Sequence, residues 1–171
     1  MTRWLAVLPL VAIAALAALF YFFALRHDPH FQPKALVGRE VPDLALPELT
    51  DGQPVRLREV AAQGPILVNF FASWCAPCEI EHPVLMGLKG RGVRVIGIAY
   101  KDAPPNTRAL LTRLGNPFAQ ALVDRDGRAG VEFGVTGVPE TYLIARGGKV
   151  LAKHTGPLTE ADAAALAQQA H

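Results

Sequence analysis

The chain is poor in cysteine, with two in 171 residues. That scarcity removes whole classes of chemistry. A structural zinc centre normally takes four Cys or His ligands, and no second Cys pair is present. The five histidines, His27, His30, His82, His154 and His171, show no His-x3-5-His spacing. Covalent haem attachment uses Cys-x-x-Cys-His, but Glu79 stands where that His would be. An excess of one charge is also missing. The 17 basic residues face 15 acidic ones, and from His27 onward the signs balance once Arg3 and Arg26 are set aside. A formally neutral domain offers nucleic acid no electrostatic footprint. Asp124, Asp126 and Gly127 read as a turn with too few oxygens for a calcium loop. No internal repeat occurs, and low complexity is confined to the alanine-rich ends.

What is there begins with those two cysteines. They stand three apart, in Trp74-Cys75-Ala76-Pro77-Cys78. Residues 65–71 before them form a short β-prone apolar run. After them Ile80, Val84, Leu85 and Leu88 recur at helical spacing. A dithiol between a strand and a helix suits redox chemistry. The helix N-terminus carries unpaired N–H groups and partial positive charge, which favour a thiolate. A purely structural disulfide would close a tiny loop here and constrain the unfolded chain little. Redox catalysis is therefore the favoured reading. Cys75 opens or precedes the helix and is expected to be the more exposed, attacking thiol. Cys78, about one turn later, is the expected resolving thiol. The dithiol itself carries the electrons, so no bound cofactor is expected.

The N-terminus speaks to compartment. Residues 4–25 carry no charge and one proline, Pro9. As a helix this run would rise about 33 Å, enough to cross a hydrocarbon core. Positive charge is nearly balanced on its two sides, by Arg3 and Arg26, so orientation cannot be read from it. A cleaved signal peptide is the competing reading. The bulky Leu19-Phe20-Tyr21-Phe22-Phe23 suits cleavage poorly and a membrane interface well. The expected organisation is residues 1–3 before the span, 4–25 as a transmembrane anchor, 26–39 as a tether and 40–171 as one domain.

Within the domain, short strands are expected over residues 41–46 and 55–57. Buried strands are expected over 66–71 and 93–99, with a helix over 75–88 bent or interrupted at Pro83. A helix over 107–114, a strand over 121–123 and a helical turn over 129–133 follow. A hairpin pairs 141–144 with 150–154, and a helix begins at Thr159. This order predicts an α/β fold with a mixed central β-sheet flanked by helices.

At this point the chain resembles the thioredoxin-like superfamily. Leu67-Val68-Asn69-Phe70-Phe71-Ala72-Ser73-Trp74-Cys75-Ala76-Pro77-Cys78, the later Gly137-Val138-Pro139 and the element order carry the likeness. Within it the chain looks most like the DsbE/CcmG family of cytochrome c maturation. Cys78-Glu79-Ile80-Glu81-His82-Pro83, Tyr100-Lys101-Asp102 and Gly134-Val135-Thr136-Gly137-Val138-Pro139-Glu140-Thr141 are the resembling stretches. The resemblance implies a thioredoxin-like domain in the periplasm, residues 1–3 in the cytoplasm and an anchor in the inner membrane. It implies a protein-disulfide reductase that keeps apocytochrome c or maturation-factor cysteines reduced for haem attachment. A membrane electron donor would re-reduce it. A general exported reductase resembling the TlpA group is the alternative, and a non-catalytic apocytochrome-binding module a further one. An oxidase resembling DsbA fits less well, because the chain lacks room for that group's helical insertion. A peroxidase fits less well too, since peroxidases present their cysteine in a different context.

The resemblance also bears on single residues. Pro139 would be a cis-proline facing the dithiol, although local sequence alone favours a trans turn. A cis bond there would present the Val138 backbone for strand-like pairing with a polypeptide. Trp74 either belongs to a docking surface or caps the core. Asn69 stands where the thioredoxin pattern has a buried aspartate, and Asn cannot act as a general base. Glu81, aided by Glu140, is the expected acceptor of the Cys78 proton. Each is otherwise a solvated surface carboxylate. Glu140 is also expected at the substrate-binding surface. His82 reads as a surface or hydrogen-bonded residue rather than a haem ligand.

Overall fold

The computed structural model describes residues 8–26 and 36–169. Its centre is β3 (Ile66–Phe71), buried along its whole length. A strand covered on both faces reads as a continuous apolar run, which is how 66–71 reads apart from Asn69. β3 pairs in parallel with β4 (Val95–Tyr100), and β4 in parallel with β5 (Gln120–Asp124). On its other side β3 pairs antiparallel with β6 (Glu140–Ile144), which pairs antiparallel with β7 (Val150–Thr155). The sheet order is β5-β4-β3-β6-β7. A separate antiparallel hairpin joins β1 (Ala45–Pro47) to β2 (Pro54–Arg56). This is the mixed sheet flanked by helices that the element order predicts.

Successive residues of a strand face opposite sides, and the interior divides accordingly. One face packs Leu67, Phe71, Val95, Ala99 and Leu143 against Leu85 and Leu88 of α3 (Ala76–Gly90). The same layer holds Leu110 of α4 (Pro104–Leu114) and Leu166 of α6 (Glu160–Gln168). The other face packs Val68, Phe70, Ile98 and Tyr142 against Leu57 of α2 (Leu57–Ala62) and Phe133 of α5 (Arg128–Phe133). Phe70, Phe133 and Tyr142 meet edge to face, with centroids 5.1–5.8 Å apart.

Several elements differ from expectation for physical reasons. α2 was not expected, since six residues are too few for a clear helical period. It is fixed from outside, by burial of Leu57 and Ala61. α3 runs unbroken through Pro83. α4 starts at Pro104 rather than 107, because proline suits a first helical turn. α6 opens with a reciprocal capping box: Asp162 N donates to Thr159 Oγ1, and Thr159 N donates to Asp162 Oδ2.

The N-terminal unit is a separate helix, α1 (Leu8–Arg26). The expected anchor over 4–25 overlaps it, with residues 4–7 outside the described residues. Residues 27–35 of the expected tether lie outside them too. Among the described residues no helix is long and apolar enough to cross a membrane.

Candidate active site

β3 leads through Phe71-Ala72-Ser73-Trp74 into α3, and Cys75 is the residue that caps that helix. Its backbone is extended, at φ −98° and ψ 100°. Its Sγ accepts a hydrogen bond of 3.2 Å from the Cys78 backbone N–H. An N-cap usually uses a side-chain oxygen for this task; here a sulfur takes the place. Pro77, in the first turn, brings no N–H of its own. Cys75 and Cys78 are joined as a disulfide with Cα atoms 5.3 Å apart. A thiolate left on Cys75 after reduction would keep the Cys78 donor and the positive end of α3.

Opposite the sulfurs lies the turn before β6. The Val138–Pro139 peptide bond is cis, and the Val138 carbonyl oxygen lies 3.5 Å from Cys75 Sγ. In the disulfide that sulfur has no proton to donate, so the approach is a contact. Trp74, next to Cys75 in the chain, is 59% exposed. Trp74 is therefore a surface residue and not a cap on the core. The expectation that Cys75 is the more exposed thiol is not met: the two cysteines are 4% and 5% exposed.

Glu81 lies one turn after Cys78 and is fully buried. Its Oε1 accepts from Asn69 Nδ2 at 2.8 Å, and its Oε2 from the Leu158 N–H at 2.8 Å. Burial pushes its pKa from an ordinary 4.5 up to about 7, against the opposing pull of the Leu158 and Asn69 donors. The solvated reading of Glu81 is corrected by this enclosure. Asn69 also donates to Thr141 Oγ1 at 3.0 Å, while its own Oδ1 has no partner among the described residues. Leu158 escapes sequence reading, because it acts through its backbone N–H alone; Thr141 belongs to the resembling stretch after Pro139, but its contact with Asn69 follows only from the pairing of β6 with β3.

Glu140 requires a correction. It was expected at the substrate-binding surface and as an aid to Glu81 in taking the Cys78 proton, and its burial fits neither role. It is fully buried, and strand alternation turns it to the face opposite Thr141. Its carboxylate accepts from Thr136 N at 3.1 Å, Thr136 Oγ1 at 2.7 Å and Tyr142 OH at 3.0 Å. Lys153 Nζ pairs with it at 2.9 Å, with both side chains fully buried. Glu140 thus ties down the turn that carries Val138 and Pro139. Its charge, together with burial, pushes the Tyr142 hydroxyl pKa upward, burial being the larger cause. His82 is buried, with Nε2 3.0 Å from the Gly115 carbonyl oxygen. Among the described residues no group of three His, Cys, Asp or Glu could hold a metal ion.

Comparison with known proteins agrees with this geometry. Residues 36–168 match the Redoxin family model. The chain is 38% identical over 160 residues to the thiol:disulfide interchange protein HelX of Rhodobacter capsulatus, covering 94% of this chain and 91% of that one. It is 37% identical over 163 residues to the thiol:disulfide interchange protein DsbE of Escherichia coli K12, covering 92% and 88%. The chain belongs to the DsbE family. Among solved structures, the thio-disulfide isomerase of Thermus thermophilus superposes on this DsbE-family chain with a TM-score of 0.64. It is 27% identical, covering 78% of this chain and 96% of that one. The fold is thioredoxin-like and the Cys75–Cys78 pair is its redox centre, so this DsbE-family protein is a thiol–disulfide oxidoreductase.

Proposed function

We propose that this protein is an exported, membrane-anchored reductase that keeps the cysteines of apocytochrome c, or of its maturation factors, reduced for haem attachment. The observation that carries the reading is the Cys75 sulfur at the α3 N-cap, with the Cys78 N–H aimed at it and the Val138 carbonyl beside it. The uncharged run over residues 4–25 supports an inner-membrane anchor, with residues 1–3 cytoplasmic and the domain in the periplasm. The DsbE-family relatives support thiol exchange with protein partners.

In the reductive direction the Cys75 thiolate attacks one sulfur of a partner disulfide. A Cys75–partner disulfide forms, and the partner's other sulfur leaves as a thiolate. Cys78 gives its proton to the Glu81 carboxylate and attacks Cys75 Sγ. The second partner sulfur leaves, and the Cys75–Cys78 bond re-forms. Two electrons have passed to the partner, and a membrane-bound dithiol donor returns them. A Glu81 pKa near 7 suits a group that accepts and returns a proton at neutral pH. Val138 offers its backbone, and Trp74 its exposed ring, to the bound polypeptide.

The test is trapping in intact cells with Cys78→Ser, which leaves the mixed disulfide unresolved. Cross-links through Cys75 to apocytochrome c or maturation factors are expected. A broad set of exported proteins would instead indicate a general reductase of the TlpA kind. Absence of any mixed disulfide would overturn both.

A further inference from the structure

Two consecutive residues before the attacking cysteine are held by two consecutive residues after β4. Ser73 is held by Asp102: its N–H donates to Oδ2 at 2.8 Å, and its Oγ donates to Oδ1 at 2.8 Å. Trp74 is held by Lys101, whose carbonyl oxygen accepts the indole Nε1–H at 3.3 Å. Asp102 is 3% exposed, and its remaining capacity is spent on the start of α4. Oδ1 also accepts from the Ala103 N–H at 2.9 Å, and Oδ2 from Thr107 Oγ1 at 2.9 Å. Each carboxylate oxygen thus takes two bonds, an arrangement only an acceptor-only group can satisfy.

The corner that brings these groups into place is itself unusual. Lys101 adopts φ +48°, a left-handed conformation rare outside glycine. It is fixed on both sides: its N–H donates to the Asp124 carbonyl at 2.8 Å, and its ammonium lies 5.2 Å from the Tyr100 ring centroid. A strained residue that persists at a site must be held there by its surroundings. Here the turn aims the Lys101 carbonyl at Trp74 and the Asp102 carboxylate at Ser73 at once.

We infer that Asp102 is a positioning residue for the thiol chemistry. Through Ser73, and with the Lys101 carbonyl on Trp74, it sets the extended backbone of Cys75 so that Sγ lies at the α3 N-cap and receives the Cys78 N–H. It touches neither sulfur and transfers no proton. The inference rests on Cys75 being the attacking thiol.

The two possible actions of Asp102 have opposite signs. If it acted only as a nearby negative charge, removing the charge would make the Cys75 thiolate easier to form. If it positions Cys75, removing it loosens the N-cap and makes the thiolate harder to form. The experiment is the pH profile of Cys75 alkylation by iodoacetamide in the reduced full-length protein, on a Cys78→Ser background. Asp102→Asn is expected to move the midpoint to higher pH and to slow alkylation at pH 7 about tenfold. Ser73→Ala keeps the backbone bond to Asp102 and is expected to give a smaller shift in the same direction. Thr107→Val removes one donor on the far side of the carboxylate and is expected to leave the midpoint near wild type. A midpoint that stays put or falls in Asp102→Asn overturns the inference. Should that variant fail to fold, Ser73→Ala decides by the same criterion. Failure of the parent protein to show thiolate-dependent alkylation would instead strike the proposed function.

Discussion

Glu81 Oε1 accepts a hydrogen bond of 2.8 Å from Asn69 Nδ2, joining α3 to the centre of the sheet where no solvent reaches. Burial of the carboxyl there outweighs the opposing pull of the Leu158 and Asn69 donors, and gives a pH dependence of stability opposite to that of an ordinary salt-bridged carboxylate. The folded carboxyl holds its proton up to about pH 7, whereas the unfolded one releases it near 4.5. Between those values the native state binds more protons, so stability falls as pH rises. The contribution is fully present below about 4.5 and lost as pH passes through 7, a decline of about 3 kcal/mol. Asp124, raised chiefly by burial, acts in the same direction. Urea unfolding at pH 4.5 and pH 8 measures the slope. Glu81→Gln is expected to remove most of it. A Glu81→Gln profile as steep as the parent's would refute the assignment.

The same contact predicts the effect of restoring a carboxylate on β3. Asn69→Asp would set two carboxylates about 3 Å apart in a closed region, and like charges that close do not both ionise. The pair would titrate in two separated steps shared between the groups. The variant is expected to be close to the parent in stability at pH 5, where one proton is shared. It should lose roughly 2 kcal/mol or more at pH 8. Thermal unfolding at the two pH values checks this. Equal losses at both would show that the cost is shape and not charge.

Much of this site was legible in the sequence, and the rest was hidden for identifiable reasons. The Cys75–Cys78 spacing, the strand before it and the helix after it are local signals, and the structure has them. The cis Val138–Pro139 bond follows the family pattern and not the local sequence, which favours trans. Glu81 was expected to take the Cys78 proton with Glu140 as its aid, and the burial of neither was legible, because exposure depends on which face of the sheet a residue meets. Glu140 and Thr141 are neighbours in sequence but face opposite layers, and only the register of β6 against β3 reveals it. Asp102 was visible as part of a loop after a strand. That it holds the segment before Cys75 depends on a contact spanning 29 residues. The helix α2 was missed because six residues carry too little period.

Gly97 marks a close approach that leaves no room for a methyl group. A Cβ at this position of β4 would lie 2.6 Å from the Phe118 ring. Phe118 is itself buried and stacked at 4.6 Å on Phe71, the last residue of β3. Gly97→Ala would therefore push Phe118 off Phe71 or displace the strand, at a cost of about 1–3 kcal/mol. Phe118→Ala alone leaves a cavity, but combined with Gly97→Ala it removes the clash, since Cγ and both Cδ atoms that the new methyl would meet are gone. The double variant is expected to be less destabilised than the sum of the single ones. Chemical denaturation of the three variants measures the coupling, and strict additivity would argue that the ring is not the obstacle.

The buried Lys153–Glu140 pair gives the sharpest separation of fold from chemistry. Its partners are 2.9 Å apart with no exposed side-chain surface, and Lys153 also donates to the Gly134 carbonyl at 3.1 Å. Lys153→Met would leave the Glu140 carboxylate enclosed without its counter-charge, costing about 3–5 kcal/mol. Lys153→Met with Glu140→Gln removes both charges and should recover a large part of that loss. Because Glu140 faces the layer opposite Glu81, neither change removes a group that handles the Cys78 proton. The double variant, once folded, is expected to keep its thiol-exchange rate at pH 7 within about threefold of the parent, a difference of under 1 kcal/mol in barrier. Stopped-flow exchange with a small disulfide, read beside the unfolding curve, separates the two effects. A recovered fold with exchange lost by a hundredfold or more would return Glu140 to the chemistry of the cysteines.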